Sequence, residues 1–181
     1  MGNSVATKWV VITGPPCSGK TELLAEISSH GHRISKDVSR KVIYELVSGG
    51  KTIAEIKKDQ LSLQNKIIQE MLEVENGLPP EELVFLEYAL PCNLAFCEKE
   101  NIYPNGLMDN AIKFRYKHIF FCEPFPYIND QIRGNDKSYQ DQIADLLVKH
   151  YRALGYNVLF LPATNAEIRY KNVKRILQLT T

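Results

Sequence analysis

The sequence has few residues of the kinds that mark secreted, membrane-spanning or metal-binding proteins. Its 181 residues include four cysteines and four histidines, and it contains no CxxC or HExxH pattern. We therefore expect neither a disulfide scaffold nor a histidine-based metal site. No apolar run approaches the length of a transmembrane helix, and the first residues lack the pattern of a signal peptide. These absences predict a cytoplasmic protein without a membrane span.

An excess of charge of one sign is also absent. The net charge is +1, and basic and acidic residues are mixed along the chain. This balance argues against nucleic-acid binding and favours a small ligand or a protein partner. Hydrophobic residues make up 44% of the chain, which is enough for a full core. The length suits a single domain over residues 1–181.

Five short segments, four of them near-continuous apolar runs, predict a parallel sheet. Near-continuous runs such as WVVIT and IFFC are typical of strands that are covered on both faces. The predicted strands span residues 9–13, 32–35, 83–86, 118–122 and 157–161.

Helical patterns separate these runs and complete the predicted fold. They predict helices over residues 19–30, 37–47, 138–154 and 165–177, and a long helix or a broken pair within a helical segment at about 51–78. Alternating strands and helices predict an α/β fold, a three-layer sandwich around a five-stranded, mostly parallel sheet. A polar stretch at about 126–138 is predicted to be a mobile lid.

The stretch GPPCSGKT has the pattern of a phosphate-binding P-loop, GxxxxGK[ST], between a predicted strand and a predicted helix. Glycines let the backbone wrap closely around phosphate oxygens, and the helix that follows presents its positive end. The lysine would neutralise phosphate charge, and the threonine hydroxyl suits Mg²⁺. The predicted nucleotide-binding residues are Gly14, Pro15, Pro16, Cys17, Ser18, Gly19, Lys20 and Thr21.

From WVVIT to the last predicted helix, the sequence resembles small P-loop ATPase or kinase-like domains of the AAA type. Their relatives include the kinase domain of the NAD-biosynthesis regulator NadR. HGHRISKDVSRKVI resembles the second strand and the acid-x-x-Arg helix start, LVFLEYALPCNLAF the third strand and its loop, and NAEIRYKNVKRIL the closing helix. The resemblance implies a P-loop NTPase of the nucleotide-kinase type, with ATP and Mg²⁺ as cofactors.

The third-strand segment departs from this family's pattern. Glu87 and Tyr88 stand where the family has Asp-Arg, and Cys92 stands where a further Asp is usual. An acid in this position orients Mg²⁺ or accepts a proton from the acceptor, so Glu87 is a predicted catalytic residue, as is Lys20. Glu87 and Thr21 are the predicted metal ligands. Tyr88, predicted to contact the substrate, cannot replace an arginine's charge.

Four further residues are candidates on the same resemblance. Arg133 in the predicted lid would close over the phosphates as a catalytic residue. Asp37 and Arg40 would face the acceptor, or they would pair with each other near a helix start. Arg169 would lie near the base-binding loop, or it would be a surface arginine.

The sequence leaves two functions open. The first is an ATP-dependent phosphotransferase that acts on an unknown small molecule. The second is a nucleotide-binding switch, or a slow ATPase or GTPase, that reports to a protein partner. The guanine-reading Asn-Lys-x-Asp pattern is absent, which favours ATP over GTP.

Overall fold

The structure is a computed structural model, and it describes residues 4–126 and 137–179. Its strands are β1 (Val5–Ala6), β2 (Val10–Thr13), β3 (Arg33–Ser35), β4 (Val84–Glu87), β5 (Phe114–Arg115), β6 (His118–Cys122) and β7 (Val158–Leu161). Its helices are α1 (Lys20–Ser29), α2 (Val38–Ser48), α3 (Ile53–Lys58), α4 (Gln60–Asn76), α5 (Cys92–Lys99), α6 (Leu107–Ala111), α7 (Lys137–Ala153) and α8 (Ala166–Leu177).

The main sheet has five strands in the order β3-β4-β2-β6-β7, and all neighbouring strands are parallel. The predicted five-stranded parallel sheet is therefore confirmed. Its register places Glu87, the last residue of β4, opposite Ile12 of β2. Because parallel strands end at the same edge, the loops after β2 and β4 lie side by side.

Helices cover both faces of this sheet and give the predicted three layers. Val11 and Leu86 point into a core shared with α2, α4, α5 and α7. Val10 and Phe85 point to the opposite face, into a core shared with α1 and α8. This alternation follows from the two-residue period of a strand, and burial on both faces explains the near-continuous apolar runs.

The helical segment at about 51–78 is a pair of helices, which was one of the two predicted alternatives. Thr52 begins α3 with a capping box, in which its hydroxyl accepts from the backbone N–H of Glu55 and the Glu55 carboxylate accepts from the backbone N–H of Thr52. Asp59 separates the two helices and caps α4 by accepting from the backbone N–H of Ser62.

The expected loop after the third strand is largely helical. After a short turn, α5 begins at Cys92, and five of its eight residues are buried. A helix that is buried on most sides shows no amphipathic period, so its sequence resembles a connecting segment. The short strands β1 and β5 pair in a second, parallel sheet that the sequence did not indicate. Among the described residues, no helix is long and apolar enough to cross a bilayer.

Candidate functional site

The loop between β2 and α1 follows a path that only glycine allows at two points. Gly14 has φ +143°, and a Cβ atom there would lie 2.5 Å from the carbonyl oxygen of Cys122. Gly19 has φ +76°, and its Cβ atom would lie 2.8 Å from the ring of Phe125. Both backbone conformations are strained for residues with side chains, and both positions lack space. The two glycines of the pattern are therefore required by the fold itself.

The loop and the start of α1 present backbone N–H groups. Cys17 also has positive φ, at +60°, a conformation that helps successive N–H groups to form an anion-binding nest. Helix α1 begins at Lys20, and no side chain caps its N-terminus. The first turn of a helix has unpaired N–H groups and a positive dipole end, so this arrangement suits phosphate oxygens.

Lys20 lies folded against the loop. Its side chain is buried, with 6% exposure, and its Nζ donates to the carbonyl oxygen of Pro15 at 2.8 Å and lies 4.8 Å from the centre of the Tyr88 ring. Burial lowers the pKa of Lys20, while the nearby Glu87 carboxylate opposes that shift. Lys20 therefore has a preformed set of contacts that an anion would replace.

Glu87 joins β4 to the end of the loop. Its carboxylate is 6% exposed, and its Oε1 accepts from the hydroxyl of Thr21 at 2.9 Å. A hydroxyl and a carboxylate side by side are the hard oxygen donors that Mg²⁺ prefers, so these residues fit that ion. The described residues hold no group of three or more His, Cys, Asp or Glu that could bind a metal, and Mg²⁺ commonly takes its other ligands from water and substrate phosphates.

Tyr88 lies against the loop as well. Its φ is +64°, its backbone N–H donates to the carbonyl of Ile12 at 3.2 Å, and its hydroxyl donates to the carbonyl of Gly14 at 2.9 Å. Glu87 and Tyr88 thus contact opposite ends of the phosphate loop, although they are consecutive in sequence.

Arg169 ties three segments together from α8. It is 1% exposed, which rules out the alternative of a surface arginine. Its guanidinium donates to the carbonyl of Ser18, to that of Glu123 at 2.8 Å and to that of Pro162 at 2.8 Å. The structure shows Arg169 as a buried clamp on the phosphate loop, and its predicted place near a base-binding loop stays a prediction. A role in direct nucleotide contact stays a prediction.

Asp37 and Arg40 show the local pairing that the sequence left open. The Asp37 carboxylate caps α2 by accepting from the backbone N–H of Ser39 at 2.9 Å, and it lies 3.8 Å from Nε of Arg40. The Arg40 side chain is 76% exposed. Their predicted contact with an acceptor remains a prediction, as does the role of Arg133, which lies with most of the predicted lid outside the described residues.

A small cleft that is partly open to solvent lies beside Glu87. Its lining residues are Ser35, Lys36, Val38, Met71, Val74, Glu75, Leu86, Glu87 and Tyr88. The sequence patterns did not indicate the polar residues of this set at positions 35, 36 and 75. A signal for one of them was present, because Glu75 lies four residues after Met71 and so interrupts the apolar stripe of α4 with a carboxyl group.

Glu75 is a carboxyl group inside the core. It is 2% exposed, and it accepts from the backbone N–H of Leu90 at 2.9 Å and from the hydroxyl of Tyr116 at 2.5 Å. Burial raises the pKa of Glu75 to about 7, although both hydrogen bonds and the charge of Lys113 oppose the shift. Glu75 therefore anchors the turn after β4 in a way that depends on protonation.

Cys92, which stands where the family has an acid, is buried rather than presented to the cleft. Its thiol lies 3.1 Å from the hydroxyl of Tyr151 and 3.5 Å from that of Thr13. Burial raises the pKa of this thiol, so it stays neutral and supplies no charge to the site.

Comparisons with known proteins agree with this architecture. Residues 9–169 match the family described as AAA domain, and the chain belongs to that family. A search of curated proteins found no match.

Solved structures with a similar fold include nucleoside-kinase proteins. A deoxyadenosine kinase from M. mycoides with products dCMP and dCDP superimposes with a TM-score of 0.67 at 16% identity, covering 94% of this chain and 98% of that one. The NadR protein in complex with NAD and AMP-PNP gives a TM-score of 0.64 at 13% identity, covering 97% of this chain and 51% of that one. The YorR protein from Bacillus subtilis gives 0.58 at 14% identity, covering 94% and 96%. At these identities the likeness establishes the fold, a P-loop fold of the nucleotide-kinase type.

Proposed function

We propose that the protein is a Mg-ATP-dependent phosphotransferase that acts on a small-molecule acceptor. The observation that carries this proposal is the contact of Glu87 with Thr21 beside the buried Lys20. A cation, a hydroxyl and a carboxylate converge there on a loop lined with N–H groups, which is the set that phosphoryl transfer requires. The similar structures were solved with dCMP and dCDP or with AMP-PNP bound, each in its own protein.

The loop would bind and orient the phosphates of ATP. Backbone N–H groups at residues 17–21 would donate to phosphate oxygens, and Nζ of Lys20 would leave the carbonyl of Pro15 for the β- and γ-phosphates. Thr21 and Glu87 would hold Mg²⁺, which when bound supplies positive charge that favours the transition state.

Glu87 would then orient the hydroxyl of the acceptor. The acceptor oxygen forms a new bond to the γ-phosphorus, the bond from that phosphorus to the bridging oxygen breaks, and ADP leaves with the bonding electrons. The proton of the acceptor hydroxyl would pass to the Glu87 carboxylate and on to solvent. Arg133 would add positive charge over the phosphates when the predicted lid closes.

The acceptor would bind in the cleft beside Glu87, and it would be less anionic than a nucleoside monophosphate. Among the described residues that line the cleft, Lys36 is the one cation. Tyr88 has no charge to offer there, and Arg40 is exposed and lies near Asp37. A hydroxyl-rich, neutral or weakly charged molecule fits such a lining better than a dianion.

Transfer from radiolabelled ATP, with labelled GTP as a comparison, tests the proposal against parallel sets of neutral nucleosides, sugars and nucleoside monophosphates. We expect transfer from ATP to a neutral or weakly charged compound. Rapid phosphorylation of a nucleoside monophosphate that is lost in Arg40→Ala would contradict the assignment of acceptor class, because Arg40 would then serve as the anion clamp.

A second function is favoured by one observation. Tyr88 and the neutral Cys92 replace charged residues of the family's pattern, which supports a nucleotide-dependent switch with slow hydrolysis and a protein partner. In that case the same assay would show slow release of phosphate from ATP, at a rate that does not depend on the acceptor added. The arm with labelled GTP would show whether GTP is hydrolysed as well.

A further inference from the structure

Tyr88 has a backbone conformation that its side chain does not favour. Its φ of +64° lies in the left-handed region, where a residue with a bulky side chain is strained. Such a conformation persists when surrounding contacts fix it. The contacts of Tyr88 therefore indicate what the strained turn achieves.

Those contacts lead to the phosphate loop. The backbone N–H of Tyr88 extends the pairing of β4 with β2 by donating to Ile12 at 3.2 Å. Its hydroxyl reaches the carbonyl of Gly14, the first residue of the loop, at 2.9 Å. Its ring lies 4.8 Å from Nζ of Lys20, within the range of a cation–π interaction.

The first residue of the loop has little freedom to move away from this contact. A Cβ atom on Gly14 would meet the carbonyl oxygen of Cys122 at 2.5 Å, so the β6 backbone closes one side of Gly14. The hydroxyl of Tyr88 holds the Gly14 carbonyl. The loop is thus held at its first residue by Tyr88 and at its last residue, Thr21, by Glu87.

We propose that Tyr88 is a positioning residue that holds Gly14 and Lys20 in the geometry that receives phosphate. This inference rests on the proposed nucleotide-binding function. It gives Tyr88 a task beside its predicted contact with the acceptor, because its one hydroxyl proton is donated to Gly14 and its ring lies beside the ammonium of Lys20. The aromatic ring keeps a cation near the loop before the phosphates arrive.

Two substitutions separate the contributions of hydroxyl and ring. Tyr88→Phe removes the hydrogen bond to Gly14 and keeps the ring. Tyr88→Asn removes both contacts, but asparagine tolerates the left-handed backbone, so this variant is suited to fold. Phe96→Leu is the matched control, because Phe96 packs edge-on against the Tyr88 ring at 5.7 Å and has no part in the proposed phosphate contacts.

Calorimetry with Mg-ATP and Mg-ADP provides the measurement. We expect Tyr88→Phe to raise the Kd for Mg-ATP about threefold, as for a lost neutral hydrogen bond. Tyr88→Asn should raise it about tenfold or more. The ratio of the ADP and ATP dissociation constants should also fall towards one in Tyr88→Asn, since Lys20 would no longer be aligned with the terminal phosphates. Phe96→Leu should keep the wild-type ratio.

A folded Tyr88→Asn variant with wild-type Mg-ATP affinity and an unchanged ADP-to-ATP ratio would overturn the inference. So would an equal loss in Phe96→Leu, which would show that the ring acts through packing alone. A wild-type protein that binds neither nucleotide would overturn the proposed function itself, and the inference with it.

Discussion

The phosphate loop and the turn after β4 lie side by side at one edge of the sheet, and both contain left-handed backbone. The loop reaches this conformation at Cys17 and also at Gly14 and Gly19, which lack the side chain that would oppose it. The turn reaches it at Tyr88, where hydrogen bonds to Ile12 and Gly14 hold a residue with a large side chain. The loop is specified mainly by its two glycines, whereas the turn is specified by the neighbours of Tyr88.

This difference predicts that the loop and the turn contribute to different steps of the reaction. The loop should determine whether phosphate binds, because its glycines and Lys20 form the binding surface. The end of β4 should determine what happens to that phosphate, because Glu87 is the carboxylate that lies between the loop and the cleft. Changes in the two regions should therefore affect different measurements.

The largest effect is expected for Glu87→Gln. Turnover should fall about 1,000-fold, equivalent to about 4 kcal/mol, because the amide is a poor proton acceptor. Affinity for the nucleotide should stay nearly intact, because the amide oxygen of glutamine can still face Mg²⁺, whereas acceptance of the proton belongs to the transition state. Steady-state rates and nucleotide titrations on the same preparation provide the comparison. A collapse of affinity with a normal rate per bound nucleotide would show that Glu87 acts through metal binding alone.

Gly14→Ala tests whether residue type alone specifies the loop. The new methyl group would meet the Cys122 carbonyl at 2.5 Å with φ at +143°, so we expect a loss of about 3 kcal/mol in unfolding free energy from strain and crowding together. Nucleotide binding should be lost as well. Denaturant unfolding measures the first effect and calorimetry the second.

Gly31→Ala is the control for this substitution. Gly31 has φ +82°, but nothing lies within 4 Å of its Cβ position, so only backbone strain of about 1 kcal/mol is expected. Equal losses in the two variants would show that crowding by Cys122 does not constrain the loop.

Glu75→Gln tests whether the stability that Glu75 gives the turn after β4 depends on pH. The pKa of Glu75 is raised from 4.5 to about 7, so the folded state binds this proton more tightly than the unfolded state does. The stability of the wild type should therefore fall as pH rises from about 4.5 to about 7, and this contribution should be constant above that range. The neutral glutamine should lack this dependence.

Unfolding free energies at pH 5 and pH 8 test this expectation. The advantage of Glu75→Gln over the wild type should be about 2 kcal/mol larger at pH 8 than at pH 5. Glu73→Gln, at an exposed position on the same helix, should show no such change. A difference that is constant with pH in Glu75→Gln would mean that Glu75 titrates normally and that the turn does not depend on its protonation.

Much of the fold could be predicted from the sequence, because the central strands β2, β4 and β6 are short apolar runs that are buried on both faces. The order of the strands brings Glu87 opposite Ile12, and the P-loop pattern places Lys20 and Thr21 at the start of α1. These features depend on local sequence and on the general rules of parallel sheets.

The remaining features depend on contacts between distant parts of the chain. Helix α5 could not be predicted because it is buried on most sides and its sequence therefore shows no amphipathic period. Arg169 was indistinguishable from a surface arginine, since its three carbonyl partners come from separate segments. The contact of Tyr88 with Gly14 joins residues 74 positions apart, and no periodicity in the sequence indicates such a pair.

The most direct test of the central claim is the melting shift that Mg-ATP produces in the wild type and in Lys20→Ala. Loss of the lysine removes a buried, charge-assisted contact with phosphate, so affinity should fall about tenfold or more. The shift should shrink accordingly, whereas Lys171→Ala, an exposed lysine paired with Glu167, should keep the wild-type shift. A folded Lys20→Ala protein with an unchanged shift would contradict the account that residues 14–21 bind the phosphates of a nucleotide.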